Sequence, residues 1–265
     1  MSLSIRRRKE GDENQNYLAS VSDLMSGLLY VFILILVIAI FKLQSATVKA
    51  GAGFVEYAEQ MVDVGITSTR LMIELDRAIQ EKAGIKVETQ PENGVLRIPE
   101  SAVTFETGSE ELDTQNRVKL NRIGTEIARV LTCFIPAGVE NSSCRAVNPN
   151  RHTLESVFIE GHTDNQTFQG DTTEKENRLL STRRANAAYL VMVHSNPALK
   201  NAKNSKGMAL FSLAGYGPDR PAEGHAHKTP TSDAANRRIE LRFTMTQPAP
   251  SEKMLRLLKE GKNVR

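Results

Sequence analysis

The octapeptide Val157–Asp164, with the sequence VFIEGHTD, decides the fold of this chain. Its first half is rich in β-branched and aromatic residues, which favour a strand, and the polar cluster Gly161–Asp164 follows directly. A helix is predicted next, over Glu174–His194, and it carries the sequence NRLLSTRRA at Asn177–Ala185. A strand followed by a helix is typical of layered folds that mix helices and strands, so we expect the polar cluster near that helix.

The flanking segments alternate between strand and helix patterns. Strands are predicted at Ile85–Glu88, Val95–Ile98, Val103–Phe105, Met208–Ala214 and Ile239–Phe243. A further helix, capped by Asp113, is predicted to run to about Leu131 because apolar residues recur on one of its faces. The pattern predicts an α+β fold over 85–246, in which helices and a mixed sheet form an αβ sandwich.

The composition excludes several classes of protein. The chain has 265 residues, of which 40% are hydrophobic, 25% charged and 5% aromatic, so a collagen-like, disulfide-dense or fully disordered chain is excluded. The net charge is +3, and the one tight basic cluster, Arg6–Lys9, lies near the N-terminus. We therefore expect no nucleic-acid partner, since such proteins usually carry a clustered basic face.

A long apolar run near the N-terminus predicts one membrane-spanning helix. Residues Leu24–Phe41, LMSGLLYVFILILVIAIF, are 18 residues without a charge, which as a helix cover roughly 27 Å, close to the hydrocarbon thickness of a bilayer. We predict the span at 17–42 and a cytoplasmic segment at 1–16, because Arg6–Lys9 outweighs Lys42 and Lys49.

Two alternatives compete with this anchor. A cleaved signal peptide also starts with basic residues, but the apolar core is long and no A-x-A site follows Phe41. The absence of a following cysteine excludes lipoprotein processing. A buried helix of a soluble protein rarely has so long a run without charge.

Asp23 stands where the apolar run begins. An ionisable group at such a depth is costly and tends to face a partner or a water-filled path. The alternative is that Asp23 only caps the helix, with help from Ser20 or Ser22. Ser26 and Gly27 follow, and small residues there allow close helix packing.

Two further segments flank the predicted domain. Residues 43–84 are predicted as a helical linker, which Gly65 and the Thr67–Thr69 run could interrupt. The alternative is a plug or pairing helix, which periodicity does not distinguish from a linker. A short basic amphipathic helix is predicted in the tail, 247–265, around Met254 and Leu258.

Cys133 and Cys144 bracket a loop. If this half lies outside the cytoplasm, a disulfide between them is expected; the alternative is two free thiols. A zinc site would need more ligands than these two residues supply.

The polar cluster and the following helix suggest recognition chemistry. Asn177, Leu180 and Arg184 share one helix face, and Asp164 can approach Arg184 if the strand end lies beside it. An acid beside an arginine would clamp a zwitterion, whereas the alternative is an ordinary structural salt bridge. No nucleophile with an obvious base is present, the five histidines are scattered and H-E-x-x-H is absent, so no enzyme, metal or cofactor is expected.

The motifs GHTD, NRLLSTRRA and NRRIE (Asn236–Glu240) together resemble the OmpA-like peptidoglycan-binding domain, which also occurs in MotB and Pal. The resemblance implies that Asp164 and Arg184 hold the diaminopimelate of the peptidoglycan stem peptide. It also implies that Asn177 and Leu180 line the same groove and that Arg237 matches the first arginine of the family's N-R-R motif. Two departures are a longer, more acidic stretch between Asp164 and Asn177 and the apparent insertion at Cys133–Cys144.

The order of anchor, membrane-edge aspartate, linker and wall-binding domain resembles MotB-type stator subunits of proton-driven motors. Ser22–Leu29 lacks the tryptophan and the Ala-Asp-Phe pattern expected of flagellar MotB and is more similar to the B subunit of the Zorya anti-phage motor. That resemblance implies an inner-membrane, periplasm-facing homodimer inside a pentamer of a multi-pass MotA-like or ZorA-like partner, with Asp23 as the proton carrier. The alternatives are a flagellar-type stator subunit and a passive tether to peptidoglycan that conducts no ions.

Overall fold

A computed structural model describes residues 3–106, 108–166, 173–252 and 254–256 of the chain. The chain divides into two compact units. One comprises Met1–Glu59 and Ala249–Arg265, and the other comprises Gln60–Pro248.

A single long helix, α1, runs from Leu3 to Ala78. Its segment Val21–Ser45 has a mean hydropathy of 2.9 and is, within the described residues, the one stretch of helix long and apolar enough to cross a membrane. The large apolar side chains of this segment are exposed to the surroundings. An isolated helix that exposes so much apolar surface is suited to a lipid or protein environment.

The predicted interruption of α1 at Gly65 and Thr67–Thr69 is wrong, because the helix continues without a break to Ala78. The Thr69 hydroxyl donates to the carbonyl oxygen of Gly65 at 3.1 Å, so its polar group is satisfied within the helix. A π-helical turn at Ile79–Ala83 follows and ends at Gly84, whose φ of +65° is the left-handed conformation that glycine adopts at helix ends.

The last turns of the predicted linker belong to the folded unit. Leu71, Leu75 and Ile79 have no exposed side-chain surface and lie in the same apolar core as the sheet. The folded unit therefore begins at Gln60 rather than at Ile85. The physical reason is that the apolar face of this part of α1 is buried against the sheet and helices, which periodicity alone could not reveal.

The second unit is built on one mixed sheet of five strands. They are β1 (Glu88–Gln90), β2 (Val95–Pro99), β3 (Leu154–His162), β4 (Phe211–Gly217) and β5 (Arg238–Met245). The strand order is β1-β2-β5-β3-β4, and all neighbours are antiparallel except the parallel pair β3 and β4. The predicted α+β class with a mixed sheet is thus confirmed.

Three more α-helices complete this unit: α2 (Thr114–Leu131), α3 (Thr173–Tyr189) and α4 (Pro197–Lys200). The predicted cap of α2 is present, since the Asp113 carboxylate accepts the backbone N–H of Asn116 at 2.6 Å. A π-helical turn at Leu190–His194 extends α3 to the predicted end of the helix.

The core lies on one face of the sheet. Along β5, Ile239, Leu241 and Phe243 join the apolar cluster, so the charged residues between them point to the other face. From the helices, the cluster takes mainly leucine, isoleucine and alanine side chains: Leu71, Leu75, Ile79, Leu120, Ile123, Ile127, Leu131, Ala185 and Ala188. The two faces of the sheet therefore have different roles, one apolar and one charged.

Three strand predictions differ from the structure, and one of them, Met208–Ala214, is only displaced, since β4 spans Phe211–Gly217. The other two fail over most of their length. Ile85–Glu88 is extended only from Glu88, because Gly84 turns the chain and the Ile85 N–H bonds back to the Ile79 carbonyl oxygen. Val103–Phe105 is not a strand: the Val103 N–H bonds to the Pro99 carbonyl oxygen, and the Thr104 N–H bonds to the Asn116 side chain. These backbone groups are satisfied by turns and a side chain, which removes the need for a strand partner.

The loop after α2 is closed by a disulfide bond between Cys133 and Cys144, whose Cα atoms lie 5.1 Å apart. The Asn148 amide donates to the Cys133 and His152 carbonyl oxygens at 2.7 and 2.8 Å and secures the rest of the loop. Of the predicted tail helix, residues 254–256 are helical, and positions 257–265 lie outside the described residues.

Candidate functional site

Asp23 lies well inside α1, twenty residues after the first residue of the helix. Capping requires free backbone N–H groups, which only the first turn of a helix offers. The alternative in which Asp23 merely caps the membrane helix is therefore wrong. Asp23 is exposed and shares a shallow groove with Gly27, where a second helix could approach closely.

Asp164 follows β3 and is buried at the edge of the sheet, with 7% of its surface exposed. Its Oδ2 accepts Nη1 of Arg237 at 2.5 Å and the backbone N–H of Asp233 at 3.1 Å. Its Oδ1 accepts the Gln166 N–H at 3.4 Å. The described arginine partner of Asp164 is thus Arg237.

Arg237 joins two carboxylates. Its Nε and Nη2 donate to the two carboxylate oxygens of Glu100 at 2.7 and 2.6 Å, which forms a bidentate pair. Its Nη1 donates to Asp164. These hydrogen bonds to the Glu100 carboxylate raise the pKa of the Arg237 guanidinium above its ordinary value. Glu100, Arg237 and Asp164 therefore form one charged chain across the end of the sheet.

Arg184 does not make the predicted contact with Asp164 among the described hydrogen bonds. Its Nε and Nη2 donate to the carbonyl oxygens of Ser109 and Glu106 at 2.9 and 3.1 Å, and its guanidinium lies over the Phe105 ring at 5.3 Å. Burial lowers the pKa of this guanidinium. Backbone carbonyl groups of the segment after β2, and not Asp164, are therefore the described hydrogen-bond partners of Arg184.

Arg184 and Arg237 nevertheless belong to one site, since both line a small cavity together with Glu100 and Phe105. The structure thus brings Asp164, Arg184 and Arg237 together through shared neighbours. Asp164 pairs with Arg237. Arg184 is a second cation of the site and bonds to backbone carbonyl oxygens instead.

Asn177 and Leu180 are both buried, with 2% and 6% of their surfaces exposed. The Asn177 amide donates to the Gln166 carbonyl oxygen at 3.1 Å. It therefore holds the chain that follows Asp164. Positions 167–172, in the longer stretch before Asn177, lie outside the described residues.

The glycines of these motifs let α3 pack directly against the sheet. A β-carbon on Gly161 would collide with the Ser181 carbonyl oxygen, and one on Gly215 would collide with the Thr182 side chain. The Ser181 hydroxyl also accepts the Gly217 N–H at 2.9 Å. This close approach places the helix that carries Arg184 over β3, which ends at His162, two residues before Asp164.

A buried charged network covers the other face of the sheet. Arg242 donates to both carboxylate oxygens of Glu160 at 2.9 Å, and Arg238 donates to Glu240 at 2.7 Å. His162 is 1% exposed among these groups, and burial lowers the pKa of its imidazole below 6.5. Burial therefore favours the neutral form of this imidazole.

This burial predicts a pH dependence of stability. The unfolded chain protonates His162 near pH 6.5, whereas the folded chain resists protonation, so the contribution of His162 is complete above 6.5 and is lost as the pH falls below it. The loss is at most about 1.4 kcal/mol of unfolding free energy per pH unit. We expect His162→Gln to reduce the drop in melting temperature between about pH 7.5 and about pH 5.5, followed by circular dichroism. The exposed His194→Gln is the control, and an equal drop in both variants would contradict the prediction.

Sequence reasoning missed Glu100, Phe105 and Asp233. The available signal was the pairing of β2 with β5, in which Pro99 stands opposite Arg238 and so brings Glu100 beside Arg237. Both strands could be predicted from the sequence, but their register could not.

No family model matches the sequence, and no curated protein matches it. Solved structures do resemble it. A putative MotB-like protein from Desulfovibrio vulgaris is 19% identical, with 71% of this chain and 99% of that chain covered at a TM-score of 0.43. The periplasmic domain of Helicobacter pylori MotB is 15% identical over 63% of this chain and 85% of that chain, with a TM-score of 0.38. The OmpA-like domain of FopA1 from Francisella tularensis is 15% identical over 62% of this chain and 83% of that chain, with a TM-score of 0.35.

Proposed function

We propose that this chain is a MotB-type stator subunit of an ion-driven motor, anchored in the inner membrane and attached to peptidoglycan. The observation that carries the proposal is the combination of two features on one chain. One is a carboxylate, Asp23, which lies within the long helix α1 at the N-terminal edge of its apolar segment. The other is a carboxylate and arginine site at the end of the sheet, which carries the motifs of the OmpA-like family.

The orientation of the chain rests on charge and redox chemistry. The cluster Arg6–Lys9 precedes the span, and positive residues favour the cytoplasmic side. The disulfide between Cys133 and Cys144 supports placing the folded unit in the periplasm, since disulfides persist in oxidising compartments. The N-terminus is then cytoplasmic and the protein passes the membrane once.

The peptidoglycan site is proposed to bind the zwitterionic end of diaminopimelate. Arg184 uses Nε and Nη2 for backbone carbonyls, and its Nη1 has no hydrogen-bond partner among the described residues, so it can take a carboxylate. Asp164, one oxygen of which has only a long hydrogen bond at 3.4 Å, can take the ammonium group. The ion pair of Arg237 with Glu100 would hold Asp164 in place while the ligand binds.

Asp23 is proposed to carry the translocated proton. Protonation cancels its charge and changes how α1 packs against a partner, and each charge crossing the membrane is driven by about 2.3 kcal/mol per 100 mV. The wall-bound domain would keep the subunit fixed while the partner ring turns. Two copies of this chain inside a five-membered multi-pass partner, and a role in phage defence, follow from the resemblance to the Zorya B subunit; flagellar torque is the alternative output.

A passive tether is the rival from another class, and co-purification separates the two. The full chain is expressed together with a candidate multi-pass partner of the MotA or ZorA type, and the purified complex is imaged. We expect a complex with two copies of this chain in a ring of the partner. A chain that purifies without the partner yet still binds peptidoglycan would contradict the motor and leave the tether.

A further inference from the structure

The loop between β4 and β5 gathers three potential metal ligands. His225, His227 and Asp233 each direct one ligand atom inward, and these atoms lie within 4.8 Å of one another. Both imidazoles converge on the same oxygen: His225 Nδ1 lies 2.8 Å and His227 Nε2 lies 2.6 Å from Asp233 Oδ2. Two imidazoles and a carboxylate form a set that binds transition metals such as Zn²⁺.

The backbone of each of these residues is held in place by another side chain. The Asn236 amide donates to the His225 carbonyl oxygen at 2.9 Å, and the Asn165 amide donates to the His227 carbonyl oxygen at 2.9 Å. The Asp233 N–H donates to Asp164 at 3.1 Å. These hydrogen bonds hold in place the backbone positions from which the three candidate ligands project.

The cluster is open to ions from solution. The His225 side chain is 45% exposed and that of His227 33% exposed, whereas the Asp233 side chain is 12% exposed. Atoms bound to one tetrahedral zinc ion lie about 3.3 Å apart. Lengthening the two nitrogen–oxygen distances from 2.8 and 2.6 Å to about 3.3 Å would be required to admit the ion, and the fourth position would be left for water.

A second cluster, Glu160, His162 and Glu240, has the same ligand types but a different electrostatic environment. Arg242 and Arg238 neutralise its carboxylates at 2.9 and 2.7 Å, and the cluster is buried. In the described part of the chain, the salt bridges of Asp233 involve only the two histidines. A cation could therefore bind the Asp233 carboxylate without displacing an arginine, which it could not do at Glu160 or Glu240.

We propose that His225, His227 and Asp233 form a binding site for a divalent transition ion of the Zn²⁺ type, with His225 Nδ1, His227 Nε2 and an Asp233 oxygen as its ligands. Its three ligand atoms are not shared with Glu100, Arg237 or Asp164, although the Asp233 N–H donates to Asp164. It adds a metal to a chain in which none was expected from the scattered histidines. The proposal does not depend on the motor function.

The test uses the full chain in detergent, free of any histidine tag and stripped of metal by a chelator. Titration with ZnCl₂ in competition with a chromophoric chelator is expected to reveal a stoichiometric site. His227→Gln and His225→Gln should each weaken it by more than about tenfold, because changing residues that merely orient metal ligands already costs 10- to 100-fold. His194→Gln, an exposed histidine elsewhere, should leave the affinity unchanged.

X-ray absorption at the zinc edge of the unchanged chain gives a readout that does not require any variant to fold. We expect the scattering of two imidazoles and one oxygen-donor carboxylate. Absence of saturable binding, absence of imidazole scattering, or equal zinc affinity of the unchanged chain and both variants would each overturn the proposal. Peptidoglycan binding is measured separately, so a failure of the zinc site is distinguishable from a failure of the proposed function.

Discussion

An Asp23→Asn chain is expected to enter the membrane, fold and join its partner like the unchanged chain, and to lose ion conduction together with every activity that depends on it. Asparagine matches aspartate in size but cannot take up or release a proton. Since Asp23 lies within α1 and does not cap it, the helix itself should not be weakened by the change. The measurement is proton uptake by vesicles that contain the co-purified complex, driven by an imposed membrane potential.

Asp76→Asn is the matched control, because it makes the same chemical change on the same helix outside the apolar segment. Asp23→Glu keeps a protonatable group and is expected to retain part of the flux. Phage plating or swimming assays on cells that carry these variants then identify the biological output. Full conduction by Asp23→Asn would remove the carboxylate from the mechanism and favour the passive tether.

Arg184→Gln and Asp164→Asn are each expected to weaken binding to purified peptidoglycan by about tenfold or more, since a hydrogen bond to a charged group contributes roughly 1.5–3 kcal/mol. Arg184→Gln removes the cation proposed for the ligand carboxylate. Asp164→Asn removes the anion proposed for its ammonium and also weakens the pair with Arg237. The measurement is the fraction of full chain pulled down by the insoluble wall polymer.

Arg129→Gln is the charge-matched control, since Arg129 is exposed and pairs only locally with Glu126 among the described residues. It corrects for nonspecific attraction of a basic protein to an anionic polymer. A soluble stem peptide with diaminopimelate should compete, and one with lysine in its place should compete less, because lysine lacks the second carboxylate. Binding that is the same for Arg184→Gln and Arg129→Gln would exclude the proposed clamp.

Local patterns were sufficient for much of this architecture. The apolar run of Leu24–Phe41 predicted the membrane helix, and the cap at Asp113 predicted the start of α2. These signals are local, because length, apolar periodicity and capping depend on residues within one or two turns. The strand predictions failed where a turn or a side chain satisfied the backbone, as at Val103–Phe105.

In the candidate site, too, the local motifs could be predicted from the sequence and the contacts between distant segments could not. The motif at Gly161–Asp164 and Arg184 of α3 could be identified from the sequence. In the fold, Arg184 lines the same small cavity as Arg237, which is the hydrogen-bond partner of Asp164. Their actual partners could not be predicted. Glu100 reaches Arg237 across 137 positions of sequence, through the register of β2 against β5.

The amino-acid sequence alone therefore determined the long apolar helix with Asp23 at the edge of its apolar segment, the α+β class and the residue types of the candidate site, because each depends on local chemistry. Only the tertiary structure decided that Asp23 lies inside a continuous helix, that Arg237 rather than Arg184 pairs with Asp164, and that the last turns of α1 enter the core. The physical reason is that strand register, side-chain direction and burial are set by contacts between segments far apart in the chain.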